Sequence, residues 1–523
     1  MRRSVAFIVA VVIAVGSATL VSGSAGAATG GGGGQADTAG VINFPTDLTG
    51  LGGIKFDPIA VASPNDWYVQ QFVYDSLLRQ NIDGSYSPGL AKSATVVDPQ
   101  TIDIELQPNV KFSDGTPMNA DAVKFSIERT MASGNVGAVR AELLQIGTIT
   151  VNSPTKLTIA LKTPIAGQFY NLLANGETFV VSPTAVQSGT SLNDKPVGAG
   201  PFTLESFTPE RSAKFVKNPN YFEAKKIKIA GVQLVQVAGT DPQATVNALL
   251  DHQVDSTSAS LSLDQVAPLE AAGLKIVRKA SDSSLILGPL CKNKPPFDNL
   301  KVRQALNYAT DRDEINDLIY QGTSEPLWAF WTQSSKLFNP KLKDYYAHNV
   351  KKAKKLLKEA GQENLTFDFY AGPTAETQSI ATILKEQWAD AGITANLVNF
   401  TNIVQEFFTE QKAPAGVTPL MRAGLDKVTR NFLPGSIGDF CNFDDPKLTA
   451  LVDQVRQLDA SSKEYQQAWY AVDDYITKNA LQLLLVWKPT INAYDPDRLA
   501  NVVYRPDVFG VPRIDVYKTY VKK

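Results

Sequence analysis

From Thr101 to Leu106 polar and apolar residues alternate strictly (Thr-Ile-Asp-Ile-Glu-Leu), the period of a strand with one buried face. Asn109 to Phe112 reads as its continuation, and Asp114-Gly115 as a hairpin-type turn. Asn119 then predicts the cap of a helix from Ala120 to about Met131, with Asp121 favoured in its first turn and Val123 and Ile127 spaced to face a core. Thr148–Val151 and Leu157–Leu161 alternate again and predict two further strands. Residues 73–195 thus read as one α/β unit.

The second half changes rhythm. Val302–Ala309 predicts a short helix, and Thr310 with Asp313 reads as a capping-box variant opening another, to about Tyr320. Lys351–Ala360 is basic and amphipathic, closed by Gly361. Leu365–Tyr370, Ala375–Ala391 and Thr394–Phe400 give strand, helix and strand, the pattern of a parallel βαβ unit. A helix over Lys463–Asn479 and an apolar strand over Leu481–Trp487 follow. The 523 residues exceed what one hydrophobic core accommodates, so the fold class is α/β with at least two lobes.

The N-terminus carries an address. Arg2 and Arg3, an apolar run from Val5 to Val15 and the small residues Ala25-Gly26-Ala27 have the order of a secretory signal peptide cleaved after Ala27. No later stretch reaches the roughly 18 apolar residues that span a bilayer. Leu20-Val21-Ser22-Gly23-Ser24 is similar to a lipoprotein cleavage box, but Ser24 cannot form the thioether to lipid. Gly30–Gly34 reads as a flexible tether within residues 28–40. The expected protein is extracytoplasmic and either freely secreted or held at the envelope by a partner.

Charge and chemistry narrow the function. Fifty basic residues against 52 acidic ones, with no Lys/Arg-rich block, argue against nucleic-acid binding by bulk charge. Two histidines, His252 and His348, and two cysteines, Cys291 and Cys441, match no metal-ligand spacing. Neither histidine has a nucleophile motif nearby, and the adjacent acids Asp444-Asp445 and Asp473-Asp474 form no acid/base couple. The sequence therefore predicts no enzyme, no cofactor and no metal. Two cysteines in an exported chain either pair or persist as buried thiols.

Four segments, in order, resemble the family-5 extracellular solute-binding proteins of ABC importers, the oligopeptide and dipeptide receptors. They are KFSDGTPMNADAVKFSIER (111–129), VGAGPFTLESFTPERSAKFVKNPNYF (197–222), PPFDNLKVRQALNYATDRDEI (295–315) and KKAKKLLKEAG (351–361). The resemblance implies a two-lobed periplasmic-binding-protein-like clamp (class II, the large type with an extra subdomain) on a two-strand hinge. Lobe I would comprise 41–72, 196–283 and 489–523, with the subdomain at 73–195, and lobe II 284–488. It also implies a Cys291–Cys441 bridge within lobe II, a monomer, ABC permease subunits as partners, and a peptide or peptide-like ligand captured in the cleft. A secreted peptide-sensing receptor, a binder of a non-peptide solute and a hydrolase on the same scaffold are the alternatives.

At the pocket the resemblance thins. Relatives that bind peptides hold the ligand ammonium with an aspartate ahead of an Asn-Phe-Leu element. Here that element is Asn431-Phe432-Leu433, and the nearest acid, Asp426, is offset by about one position. The turn after the lobe II strand, which begins at Tyr370, carries no arginine for a ligand carboxylate, leaving Arg422 or Arg430 for that role. Aromatic walls are expected from Trp67 and Tyr68 in lobe I, from Trp328 and Trp331 in the loop after Gly322, and from Trp487 at the second crossover.

Overall fold

Two long strands, Lys275–Pro289 and Gln482–Tyr494, pair antiparallel and carry the chain between two lobes; their register breaks between Ala280 and Leu285. The computed structural model describes residues 35–523 apart from 50–52, 82–84, 136–141, 238–241, 401–405, 407–409, 422–423, 437–438, 440, 442–443 and 507–511. The signal-like segment, the Ser24 box, the glycine run up to Gly34 and Arg422 lie outside the described residues. Among the described residues no helix is long and apolar enough to cross a membrane.

In the second lobe the long pair lies at one side of a five-stranded sheet, joined through Gly416–Met421 to Thr366–Ala371 and Thr394–Asn399. The last two strands are parallel, connected by the helix Ala375–Ala389, as the βαβ pattern predicts. Ile286, Leu483, Leu485 and Val486 belong to one core, and Leu285, Leu287, Leu484 and Trp487 to another. Burial on both faces explains why Leu481–Trp487 shows no polar alternation.

The first lobe has a four-stranded sheet in which Val41–Thr46 pairs parallel with Gly231–Gln236, followed by Ser212–Lys217 and Phe202–Thr208. The far ends of the long strands reach it: Ile491 and Ala493 pack with Val246, Leu249 and Leu269. Beside it, Ala91–Asp98, Thr101–Leu106, Lys156–Leu161 and Ile146–Ser153 form an antiparallel sheet. Its helix, Ala120–Ala132, is capped as expected, Asn119 Oδ1 accepting from the Ala122 N–H at 3.0 Å, and Val123 and Ile127 are fully buried.

Two local expectations are corrected. Asn109–Phe112 does not extend the strand: Asn109 turns the chain with φ of 58°, and Lys111 makes only an isolated bridge to Pro117. The helix Arg312–Tyr320 is capped by Asp311, whose carboxylate accepts from the Asp313 and Glu314 N–H groups, and not by Thr310. The Thr310 hydroxyl is already engaged, donating to Leu306 O and accepting from Trp388 Nε1.

The segment 295–315 owes its two arginines to packing. Arg303 donates to Phe297 O at 2.6 Å and to Asn479 O at 2.8 Å, tying its helix to the turn before the strand Gln482–Tyr494. Arg312 is buried and donates to Leu484 O (2.6 Å), Tyr346 O (3.2 Å), Asn307 O (3.2 Å) and Asn307 Oδ1 (2.8 Å). Burial pulls its guanidinium down to about 10 against the opposing fields of Tyr346, Asp311 and Asp313. Cys291 and Cys441, 150 positions apart, form a disulfide within the same lobe.

Replacing Arg312 with Met keeps the bulk but orphans several buried carbonyls, so Arg312→Met is expected to cost about 3 kcal/mol or more of unfolding free energy in a urea titration. A loss under about 1 kcal/mol contradicts this role.

Candidate ligand-binding cleft

The helix Pro64–Gln70 starts at Ser63 with proline in its first turn, and Asp66 fixes the entry by accepting from the Lys55, Ala62 and Ser63 N–H groups at 2.8 Å each. It projects Trp67 and Tyr68 into a cavity of about 110 Å³ in the first lobe. A side chain at Gly176 would strike the Trp67 ring, so that position admits only a hydrogen. The segment after the helix is held by the Gly-Ala-Gly-Pro motif: Gly200 N–H donates to Val73 O and Phe202 N–H to Phe72 O. A Cβ on Gly198 would fall 2.4 Å from Val73 O and the Tyr74 ring, and one on Gly200 2.5 Å from Val73 O, which explains the glycines.

Charge enters the cavity through Asp75, Arg79 and Arg513. Arg79 pairs with Asp75 at 2.6 Å and Glu223 at 2.8 Å, and lies 4.7 Å from the centre of the Tyr517 ring. Tyr221 Oη donates to Asp75 Oδ2 at 2.7 Å and is 3.0 Å from Tyr517 Oη. Burial and the Asp75 charge raise the Tyr221 phenol far above its usual range, so it stays a neutral donor. Burial opposes the charge on Arg79, but Asp75 and the two tyrosines outweigh it and raise its pKa. Arg513 stacks 3.9 Å from the centre of the Tyr68 ring.

The second lobe faces this wall. Gly424, with φ of 53°, opens the turn before the helix Asp426–Phe432, and a Cβ there would lie 3.7 Å from Tyr86 Oη and 3.9 Å from Gln80 Nε2. Asp426 is buried at the start of that helix. Nearby the lobes touch: Tyr170 Oη donates to Asp459 Oδ2 at 2.7 Å, Arg456 Nε donates to Gln168 Oε1 at 2.7 Å, and a Cβ on Gly167 would sit 2.0 Å from Leu458 O. Burial works against the Asp459 charge, but hydrogen bonds from Ser461 and Tyr170 keep its pKa below the usual carboxylate value.

Of the residues singled out from sequence, Trp67 and Tyr68 line the cavity and Asp426 lies near Gly424. The other aromatics lie elsewhere. Trp328 packs 5.2 Å from the Arg312 guanidinium in the second-lobe core. Trp331 and Trp487 flank the Lys427 ammonium at 4.0 and 5.1 Å, and Trp331 packs edge-on against Trp469. Tyr370 packs at a tilt against Phe400, ring centres 5.3 Å apart, and is not among the cavity-lining residues. The backbone of Arg430 is helical, but its side chain lies outside the described residues. Gln80, Asp75, Arg79, Arg513 and Tyr517 escaped the sequence reading; the one signal was the polar Asp75-Ser76 pair and Arg79 within an otherwise apolar stretch.

The family described as "Bacterial extracellular solute-binding proteins, family 5 Middle" matches residues 85–419, more than half of the chain. The chain belongs to that family. Among curated relatives, the glutathione-binding protein GsiB of Escherichia coli strain K12 is 28% identical over 317 residues, covering 59% of this chain and 60% of the relative. The match thus spans less than two thirds of that relative. Solved structures share the two-lobed clamp fold. The substrate-binding protein CtaP of Listeria monocytogenes superposes with a TM-score of 0.78 at 22% identity over 93% of this chain and 100% of that one. The unliganded open form of the murein tripeptide binding protein MppA gives 0.80 at 18% identity over 94% and 99%.

Two outcomes are expected of this family-5 protein, one at the contact between its lobes and one inside the second lobe. Gly167→Val puts bulk against Leu458 O at a contact between the lobes, so small-angle scattering should give a larger radius of gyration with unchanged circular dichroism; an unchanged radius contradicts the contact. The second concerns Asp473, whose Oδ1 accepts from Phe330 N–H at 3.1 Å. Burial raises its carboxyl to about 7, against the Phe330 hydrogen bond and the Lys427 charge. A folded-state pKa raised above the unfolded value of about 3.9 favours folding at low pH and loses that contribution as pH rises toward 7. Stability should therefore fall between about pH 5 and pH 7 in wild type, and Asp473→Asn should flatten that slope; an unaltered slope in the variant contradicts the assignment.

Proposed function

We propose that the protein is an extracytoplasmic receptor that captures a peptide or peptide-like solute between its lobes and delivers it to an ABC permease, without chemistry of its own. The observation that carries this reading is the aromatic and charged cavity of the first lobe, set against the second-lobe turn at Gly424 beside a polar contact between the lobes. A pocket with aromatic walls and a few fixed charges suits a small amphiphilic solute. The glutathione-binding relatives support a peptide-like ligand, since glutathione is itself a tripeptide derivative.

In this reading Trp67 and Tyr68 form the lobe I wall, Asp426 is the facing carboxylate, and closure hinges where the paired strands cross near residues 283 and 488. Lobe I comprises 41–72, 196–283 and 489–523 with a subdomain at 73–195, and lobe II comprises 284–488. Signal cleavage after Ala27 delivers the mature chain outside the cytoplasm.

Native mass spectrometry of protein purified from its own host without denaturation tests the reading. A bound small solute of peptide character is expected, displaced on Trp67→Ala substitution. A protein that carries no solute and binds neither glutathione nor a tripeptide library by calorimetry contradicts it.

A further inference from the structure

Lys427 is fully buried, one helical turn into the second lobe from the Gly424 turn that faces the cleft. Its Nζ donates to Phe330 O at 2.9 Å, with the Trp331 ring centre 4.0 Å away and the Trp487 ring centre 5.1 Å away. The Phe330 N–H is tied to Asp473, so the backbone of Phe330, which precedes the Trp331 ring, is held on both its N–H and its carbonyl side. A tryptophan pair with an oriented carbonyl and a nearby carboxyl is what a primary ammonium needs when it leaves water. Here the ammonium that fills the site belongs to the chain itself.

We propose that Lys427 is a specificity-determining residue: it is the resident cation of the Trp331–Trp487 cage and closes that part of the second lobe to any ammonium group brought by a ligand. A tethered ammonium pays no translational cost on entering the cage, whereas a free one does, so a ligand amine cannot compete for the position. Charge recognition then falls to the opposite wall, where Asp75, Arg79 and Arg513 line the cavity. The solute is selected by groups other than an amino terminus lodged between these tryptophans. The proposal rests on the cleft being the ligand site, but the cage can be tested alone.

The test uses the full-length protein and the Lys427→Ala variant, with n-butylammonium chloride as probe and n-butanol at the same concentration as its uncharged control. Thermal unfolding at fixed pH and ionic strength is the readout. The variant is expected to melt lower than wild type and to recover several degrees as n-butylammonium is added, with no comparable recovery from n-butanol. Wild type should show no n-butylammonium-specific shift. If the variant does not fold in buffer, its refolding yield with and without n-butylammonium gives the same reading. A wild-type shift equal to the variant's, equal effects of amine and alcohol on the variant, or no amine-dependent recovery in either assay overturns the proposal. None of these outcomes depends on finding the natural solute, so failure of the cage and failure of the receptor reading are distinguishable.

Discussion

The antiparallel pairing of Lys275–Pro289 with Gln482–Tyr494 runs through the cores of both lobes. One end of this ribbon is the apolar spine of the second lobe, with Leu285 and Trp487 on one face and Ile286 and Val486 on the other. Its other end packs Ile491 and Ala493 against the first lobe. Each lobe therefore completes its own core, and polar contacts join the two. Tyr170–Asp459 and Arg456–Gln168 are single hydrogen bonds, which net about 1 kcal/mol each or somewhat more where a charge takes part. Contacts of that size hold the lobes to each other only weakly.

Buried cations organise the second lobe. Arg303, Arg312 and Lys427 all direct their donors at main-chain carbonyls, at Asn479, Leu484 and Phe330 respectively. A guanidinium carries five donors in a fixed fork and can join a helix, a turn and a strand end at once. The first lobe solves the same problem differently, with carboxylates and phenols: Asp75, Glu223, Tyr221 and Tyr517 surround Arg79 at the cavity. The Asp75 and Arg79 charges at the cavity are thus paired with each other, while Arg513 lies over the Tyr68 ring.

Local periodicity made much of the fold legible. The alternation in Thr101–Leu106, the Asn119 cap and the parallel unit from Thr366 to Asn399 all follow from patterns within a few turns of chain. Competition for one hydroxyl moved the cap from Thr310 to Asp311, and a left-handed Asn109 ended a strand that alternation alone would have continued. The site was less legible because its groups converge from distant positions. Tyr221 reaches Asp75 across 146 residues, and Lys427 meets Phe330 across 97. Local pattern likewise gives no sign that Trp331 sits beside the buried Lys427.

In the proposed receptor a solute holds the two lobes together across the cleft. Spin labels on Leu144→Cys in the first lobe and Leu318→Cys in the second, both exposed positions, would report the interlobe distance directly, since the native cysteines are bonded to each other. Pulsed electron resonance on the protein with its co-purified solute, and again after the solute is stripped by unfolding and refolding, should give a short, narrow distance that becomes longer and broader. Identical distributions before and after removal would contradict the account.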